Sequence, residues 1–335
     1  MNVRRGTGRR PEPAPSGNKV NDIGDPGPAE AARGGAPAGG RRGLPTLAVV
    51  VAVHAACVAT IAFLVWEFDA PPRLIPIDGL SLPGAPAVIG ARLHSDGALG
   101  RSRIRGVEVR FEALPEPGRG PQDRALLERA ETDANGTAIV SAKASDLAEV
   151  LRFRASAEVS TPTGRRVATA DVLLESTPRE GRALLIVKVP DAVSEELEKE
   201  EPPAGAAEKI SPAAEVLRDL ARGAAVAYWV GPAWKDAADL RGRLERRGFP
   251  PGPLLGLDLP SARAGFGERM AMLHLERFRV SKWVVLKNRA EAREFAYRGV
   301  RALVLGGAAG GEAEEPRVYP VRNWNEVRDR VLERR

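Results

Sequence analysis

The run ALLIVKV, residues 183–189, is apolar at every position but Lys188, and it decides how the second half of the chain reads. A strand with one wet face alternates apolar and polar residues, whereas a strand covered on both faces does not. Four comparable runs follow: AVAYWV (225–230), PLLGLD (253–258), KWVVLK (282–287) and RALVLG (301–306). Segments 212–222, 236–247, 266–278 and 290–298 lie between them, with apolar residues at helical spacing. A last segment, 324–335, places Val327 and Val331 one helical turn apart. Strands alternating with helices predict a doubly wound parallel sheet, an α/β domain over 182–335. The acidic SEELEKEEPP (194–203) reads as a solvated insert after the first strand.

Towards the N-terminus the pattern changes. Between 75 and 178, short runs at 87–93, 107–113, 125–132, 137–142, 151–159 and 166–174 read as strands, with alternation clearest in VEVRFEA and RFRASAEV. Short strands separated by turn residues predict an all-β antiparallel sandwich. The turn TDANG (132–136) followed by TAIVSAKA resembles the turn-and-strand signature of bacterial Ig-like and related prealbumin-type modules. That resemblance covers one hairpin and implies a spacing or adhesion role. Asn135-Gly136 is a favoured tight-turn pair, and Asp133 with Asn135 offers too few oxygens for a calcium loop.

Before the sandwich, TLAVVVAVHAACVATIAFLVW (46–66) carries no formal charge over 21 residues. A helix of that length reaches about 31 Å, close to the ~30 Å hydrocarbon thickness of a bilayer. The reading is a single transmembrane helix within 44–68, with His54 and Cys57 as ordinary members of it. Arg41 and Arg42 precede the run and Arg33 lies a little earlier, whereas Glu67, Asp69 and a single Arg73 follow. Lys and Arg stay on the cytoplasmic side, so the N-terminus is expected inside the inner (plasma) membrane and the C-terminal domains outside it. The 43 residues ahead of a long apolar run fit an uncleaved anchor rather than a signal peptide. Residues 1–43 are mostly Gly, Pro, Ala and Arg, too poor in bulky apolar side chains to fold, and are expected to form a disordered basic tail.

Composition narrows the chemistry. The 335 residues include one Cys, inside the span, and three His, at 54, 94 and 274. The soluble parts are therefore expected to hold no disulfide and no thiolate or His-rich metal centre. A pI of 9.7 invites a nucleic-acid reading. Yet residues 1–43 alone hold eight Lys/Arg against four Asp/Glu, and so account for most of the net +6. Basicity concentrated beside a span suits anionic lipid headgroups, and no nucleic-acid partner is expected. GGAAGG (306–311) follows a strand but lacks Gly-Lys-Ser/Thr and a following helix, so it reads as a surface loop. Trp229, Trp234, Trp283 and Trp324 read as core and turn residues rather than a binding platform.

YWVGPAW (228–234), a helix, and then RGFPPGPLL (247–255) resemble the HAD-superfamily phosphatidate phosphatase domain related to lipin catalytic domains. GFPPGPLL is the specific part of a likeness covering roughly 182–335, and it implies a HAD-like Rossmannoid fold. In that family the first strand ends on an Asp nucleophile, with an Asp acid/base two residues on. A Ser/Thr ends the next strand, a later Lys holds the phosphate, and a further acid binds Mg²⁺. One carboxylate attacks phosphorus, and together they collect the cation that offsets charge in phosphoryl transfer. The matching positions here are Lys188, Pro190, Val230, Arg269 and Asn288, with Ala192 where a Thr would follow.

A lysine cannot form an aspartyl phosphate and a proline cannot carry a proton. The expectation is a pseudoenzyme with no catalytic residue, no metal and no cofactor, engaged in binding or scaffolding with a partner protein at the cell envelope. Lys188 and Arg269 are expected to leave a cationic pocket for an anion, either phosphate or a lipid headgroup. Two other readings stay open: an active phosphatidate-type phosphatase with a relocated site that uses nearby carboxylates such as Asp191, Asp258 or Glu291, and a purely structural spacer.

Overall fold

A computed structural model describes residues 46–82, 87–97, 100–114, 126–142, 149–176, 182–198, 210–230, 236–256, 275–307 and 315–333. The expected tail, Asp258, Arg269, Trp234 and most of the expected helix at 266–278 lie outside the described residues. The uncharged run forms helix α1, Thr46–Phe68. Its stretch Val49–Trp66 has a mean hydropathy of 2.4, so α1 is long and apolar enough to cross a membrane. The chain divides into two compact units, Met1–Ala56 and Cys57–Arg335, and the sheets among the described residues lie in the second.

Two sheets come first. One contains β1 (Pro72–Ile77), β3 (Val88–Gly97), β4 (Gly100–Arg103) and β7 (Thr137–Ser141). The other contains β2 (Gly79–Ser81), β5 (Glu108–Ala113), β6 (Leu126–Glu131), β8 (Glu149–Thr161) and β9 (Gly164–Ser176), in the order β2-β9-β8-β5-β6. Ile89 and Leu93 from the first sheet meet Phe111, Phe153 and Val172 from the second in one core. The alternation in β5 explains the packing, because Val109 and Phe111 are buried while Glu108 and Arg110 are exposed. Gly136 turns with φ 71° at a place where a Cβ would lie 2.5 Å from the Leu93 carbonyl oxygen. Strands β1, β2 and β4 add to the sequence expectation. β1 starts at Pro72, ahead of the expected 75–178 bounds, and among the described strands pairs with β3 alone, an edge position where proline is tolerated.

The second half holds β10 (Ala183–Val189), α2 (Ser194–Glu198), α3 (Pro212–Ala221), β11 (Ala224–Val230), α4 (Ala237–Arg246) and β12 (Leu254–Leu255). β13 (Lys282–Leu286), α5 (Arg289–Tyr297), β14 (Arg301–Leu305), β15 (Val318–Val321) and α6 (Trp324–Glu333) complete it. All six strands are parallel, in the order β12-β11-β10-β13-β14-β15. Leu185, Val187 and Val189 of β10 pack on one face with α3, α4 and α6, while Leu184 and Ile186 pack on the other with Phe278 and Phe295. That two-sided burial is why the strand is a continuous apolar run. The side chains of Ser211, Asp236 and Asn288 cap α3, α4 and α5, filling amide donors that a helix leaves open at its start.

Three details depart from the sequence expectation. β15 is a sixth strand, obscured in the sequence by Pro320 and by a half-exposed edge. The third strand is only Leu254–Leu255. The start of the acidic insert forms α2 and buries Leu197. The two halves share apolar contacts. Leu80 and Leu82, in and just beyond β2, belong to the core of the parallel sheet.

Candidate functional site

The order of the parallel sheet reverses between β10 and β13: β11 and β12 lie to one side of that pair, and β14 and β15 to the other. Loops leaving the carboxyl ends of two such strands diverge, and the crevice between them is where open α/β sheets bind ligands. Lys188 stands at that end of β10, followed by the cis Val189–Pro190 bond and a short 3-10 turn, Asp191–Val193. Lys287 and Asn288 stand just past β13 and lead into α5.

These groups neutralise one another. The Lys188 ammonium is 3.4 Å from the Asp191 carboxylate and donates a closer hydrogen bond to Glu291, with its side chain 14 % exposed. Asp191 also accepts the Lys287 backbone N–H at 2.9 Å, tying the two strand ends together. The Lys287 ammonium donates to Glu195 of α2 at 3.2 Å. Among the described residues two ammoniums thus face three carboxylates, while Arg269, the other member of the expected cationic pocket, lies outside the described residues. An incoming anion would have to compete with Asp191 and Glu291 for Lys188.

The other expected positions have structural work. Asn288 accepts from the backbone N–H groups of Ala290 at 2.9 Å and Glu291 at 3.2 Å, so its carbonyl oxygen caps α5 instead of pointing at a cation. Val230 is buried at the end of β11, and Pro190 supplies no titratable group. Among the described residues no group of three or more Asp, Glu, His or Cys has the arrangement of a metal site. Glu291 carried a signal in the sequence. Asn288-Arg-Ala-Glu291 has capping-box spacing, in which the acid would bond back to the cap, but here it reaches across to β10.

GFPPGPLL packs against β11. Gly252 runs so close that a Cβ would lie 2.2 Å from the Val226 carbonyl oxygen. The Tyr228 hydroxyl donates to the Pro250 carbonyl at 2.6 Å. Burial pushes the Tyr228 hydroxyl far above its ordinary pKa, so it is a hydrogen-bond donor and not an acid. Trp229 packs edge-on against Phe295 on the other face of the sheet, with ring centroids 6.4 Å apart.

Two polar sites were not visible as such in the sequence. Asp78, between β1 and β2, has no exposed side-chain surface and accepts from Arg241 of α4 at 2.6 and 2.7 Å. It also accepts the backbone N–H groups of Leu173 at 2.9 Å and Leu254 at 2.6 Å. Burial pushes the Asp78 carboxyl up, against the pull of Arg241 and the two amides. Away from the sheet reversal, a cleft of about 690 Å³ is lined by Arg73, His94 and Asp96 from the sandwich and by Asp236, Arg241 and Glu245 around α4. Its charges are matched, with Arg73 3.8 Å from Asp96 and Arg152 2.9 Å from Glu245. Burial pushes His94 below its ordinary pKa, leaving a neutral imidazole. The cleft therefore has no bias towards anions.

No family model and no curated protein matches the chain. Among solved structures, an engineered protein aligns at 17% identity over 31% of this chain and 20% of its own, with a TM-score of 0.19. A sialyltransferase from Photobacterium damsela aligns at 8% identity over 70% of this chain and 41% of its own, also with a TM-score of 0.19. The chain thus spans less than half the length of either structure, and likenesses this slight carry no argument about fold or activity.

Proposed function

We propose that this chain is a single-pass anchored protein of the cell envelope, with its N-terminus in the cytoplasm. Its Ig-like sandwich carries a HAD-like α/β domain that has lost phosphoryl transfer and serves binding or scaffolding. The observation that supports this reading best is the Lys188 ammonium held between Asp191 and Glu291 at the sheet reversal. A phosphatase of this type needs a nucleophilic carboxylate and a divalent cation there. Here a tethered cation sits where a free one would be needed, and the carboxylates nearest the strand end, Asp191 and Glu291, are already engaged by it. Because Lys188 is already matched, a protein partner fits the site better than a tightly held anion.

The test uses the full chain in lipid nanodiscs with Mg²⁺, phosphatidate and p-nitrophenyl phosphate. Phosphate release should not exceed that of empty discs, and neither Mg²⁺ nor inorganic phosphate should raise the unfolding midpoint. Release that depends on Mg²⁺ and is lost in Asp191→Asn would assign the domain to a phosphatase with a relocated site. A phosphate-dependent rise in midpoint that Lys188→Met removes would make it an anion sensor.

A further inference from the structure

We infer that the β8–β9 hairpin of the sandwich lies on the membrane surface, against anionic phospholipid headgroups, with Asp69 holding it there. The inference rests on the reading of α1 as a membrane span. Asp69 directly follows α1, and its backbone N–H donates to the Val65 carbonyl at 2.8 Å, which continues the helical ladder. Its carboxylate accepts from Thr161 at 3.0 Å, from Thr163 and from Arg166 at 2.7 Å, all at the tip of the hairpin. The hydrogen bond from Thr163, opposed by partial burial and helped by Thr161 and Arg166, holds the Asp69 carboxyl below its usual range and keeps it charged.

Depth follows from geometry. Trp66 is an amphipathic aromatic at the end of the apolar run, the residue type that settles at the membrane interface. Asp69 is three residues further on, about 4.5 Å along the helix axis. Headgroup layers are roughly 5–8 Å thick on each side of the hydrocarbon, so Asp69 and the groups bonded to it fall within one. Strand register runs β3 and β9 away from that level, while the β3–β4 end, where Gly97 pairs with Gly100, stays on the side of Pro72. β9 runs from Gly164 at the tip to Ser176, where it pairs with β2, and β3 runs from Ser95, opposite Pro72, back to Val88, opposite Ser141.

The hairpin carries the chemistry for such a surface. Arg165 is 78% exposed, and among the described residues its ion-pair partner is Glu158, itself exposed, at 3.0 Å. Exposed pairs of this kind contribute little, so a lipid phosphate can replace the carboxylate. Val167, two residues on, leaves 67% of its surface in solvent, an apolar group beside the two arginines. Anionic headgroups with acyl chains below them meet both requirements.

The test places single cysteines carrying an environment-sensitive dye at exposed Ser160, near the tip, or at exposed Ser141, at the far end, in full chain with Cys57→Ser. The chain is held in nanodiscs containing phosphatidylglycerol and a lipid with a headgroup nitroxide. Quenching should be several-fold stronger at 160 than at 141. It should fall both in Asp69→Ala and in Arg165→Gln with Arg166→Gln, and on replacing phosphatidylglycerol by phosphatidylcholine. A label on native Cys57 tests the span independently. If it is shielded from an aqueous quencher while 160 and 141 quench alike, the hairpin does not touch lipid although the span stands. If Cys57 is open to water, the span fails and the inference fails with it. Dye–dye quenching at 160 that depends on two copies per disc, without lipid quenching, would give the face to a second copy of the chain.

Discussion

Asp78, Lys188 and Glu315 illustrate three ways of holding a charge, and each has a measurable consequence. A carboxylate without solvent survives in a fold only when its lone pairs are filled, and Asp78 fills them with Arg241 and two amides. Asp78→Ala strands the Arg241 guanidinium, which is 13% exposed, and should cost about 3–5 kcal/mol in urea unfolding. Lys188→Met leaves Asp191 and Glu291 without their shared ammonium. The loss should be smaller, about 2 kcal/mol, because both carboxylates keep roughly a fifth of their surface in water. The same variant should gain what the parent lacks, a rise in unfolding midpoint with millimolar Ca²⁺ or Mg²⁺. No rise would mean that Lys188 does not stand in for a cation. Glu315 is held down to about 2, first by its hydrogen bond from Arg293 and then by the charges of Arg293 and Arg289. Its folded value lies below the unfolded one, so its contribution is complete above the ordinary carboxylate range and fades as pH falls through about 2. Carboxyl NMR should find Glu315 titrating near that value, and Arg293→Gln should return it towards 4.5. Of these residues only Lys188 stood out in the sequence, as the one charge in an apolar run. Asp78 carried no signal in PIDGL, because its partners Arg241 and Leu254 lie more than 150 positions away.

At the scale of elements, the parallel sheet was legible because burial on both faces removes nearly every polar residue from a strand, as in β11 and in β10, where Lys188 at the strand end is the exception. Alternation exposed β5 in the same way. β2, with three residues, and β15, with a proline, were not legible, since short edges take their place from neighbours rather than from their own pattern. The reacting positions were legible as residue types, but their present work was not. Asn288 stood out as a missing acid and proves to be a helix cap. Asn288→Ala should lower stability by about 1 kcal/mol, whereas Asn288→Asp keeps the cap and should lose little. If both variants lose stability equally, the side-chain amide has a role beyond capping. GFPPGPLL has its own steric logic at Gly252. Gly252→Ala forces a methyl onto the Val226 carbonyl oxygen and should cost about 1–3 kcal/mol by thermal unfolding.

On the scale of the whole second unit, the sequence reads as a sandwich over 75–178 and an α/β domain over 182–335, and strand β2 of the first contributes to the core of the second. β2 pairs with the end of β9 in the sandwich, yet Leu80 and Leu82 sit in the core of the parallel sheet. Asp78, just before β2, fixes α4 through Arg241 and the edge strand β12 through the Leu254 amide, while it also holds the Leu173 amide of β9. Unfolding either half exposes that carboxylate's partners on the other, so the free energies of the two halves are coupled. Calorimetry of the full chain in nanodiscs should therefore show one transition for the soluble region, with equal van't Hoff and calorimetric enthalpies. Asp78→Ala should split it, because the apolar contacts of Leu80 and Leu82 remain but the shared hydrogen bonds are gone. Leu80→Ala, which removes only apolar contact, should lower the midpoint and leave the transition single. Two transitions in the parent protein would mean that Asp78 joins halves that are already independent. A single transition in Asp78→Ala would move the coupling to the leucines.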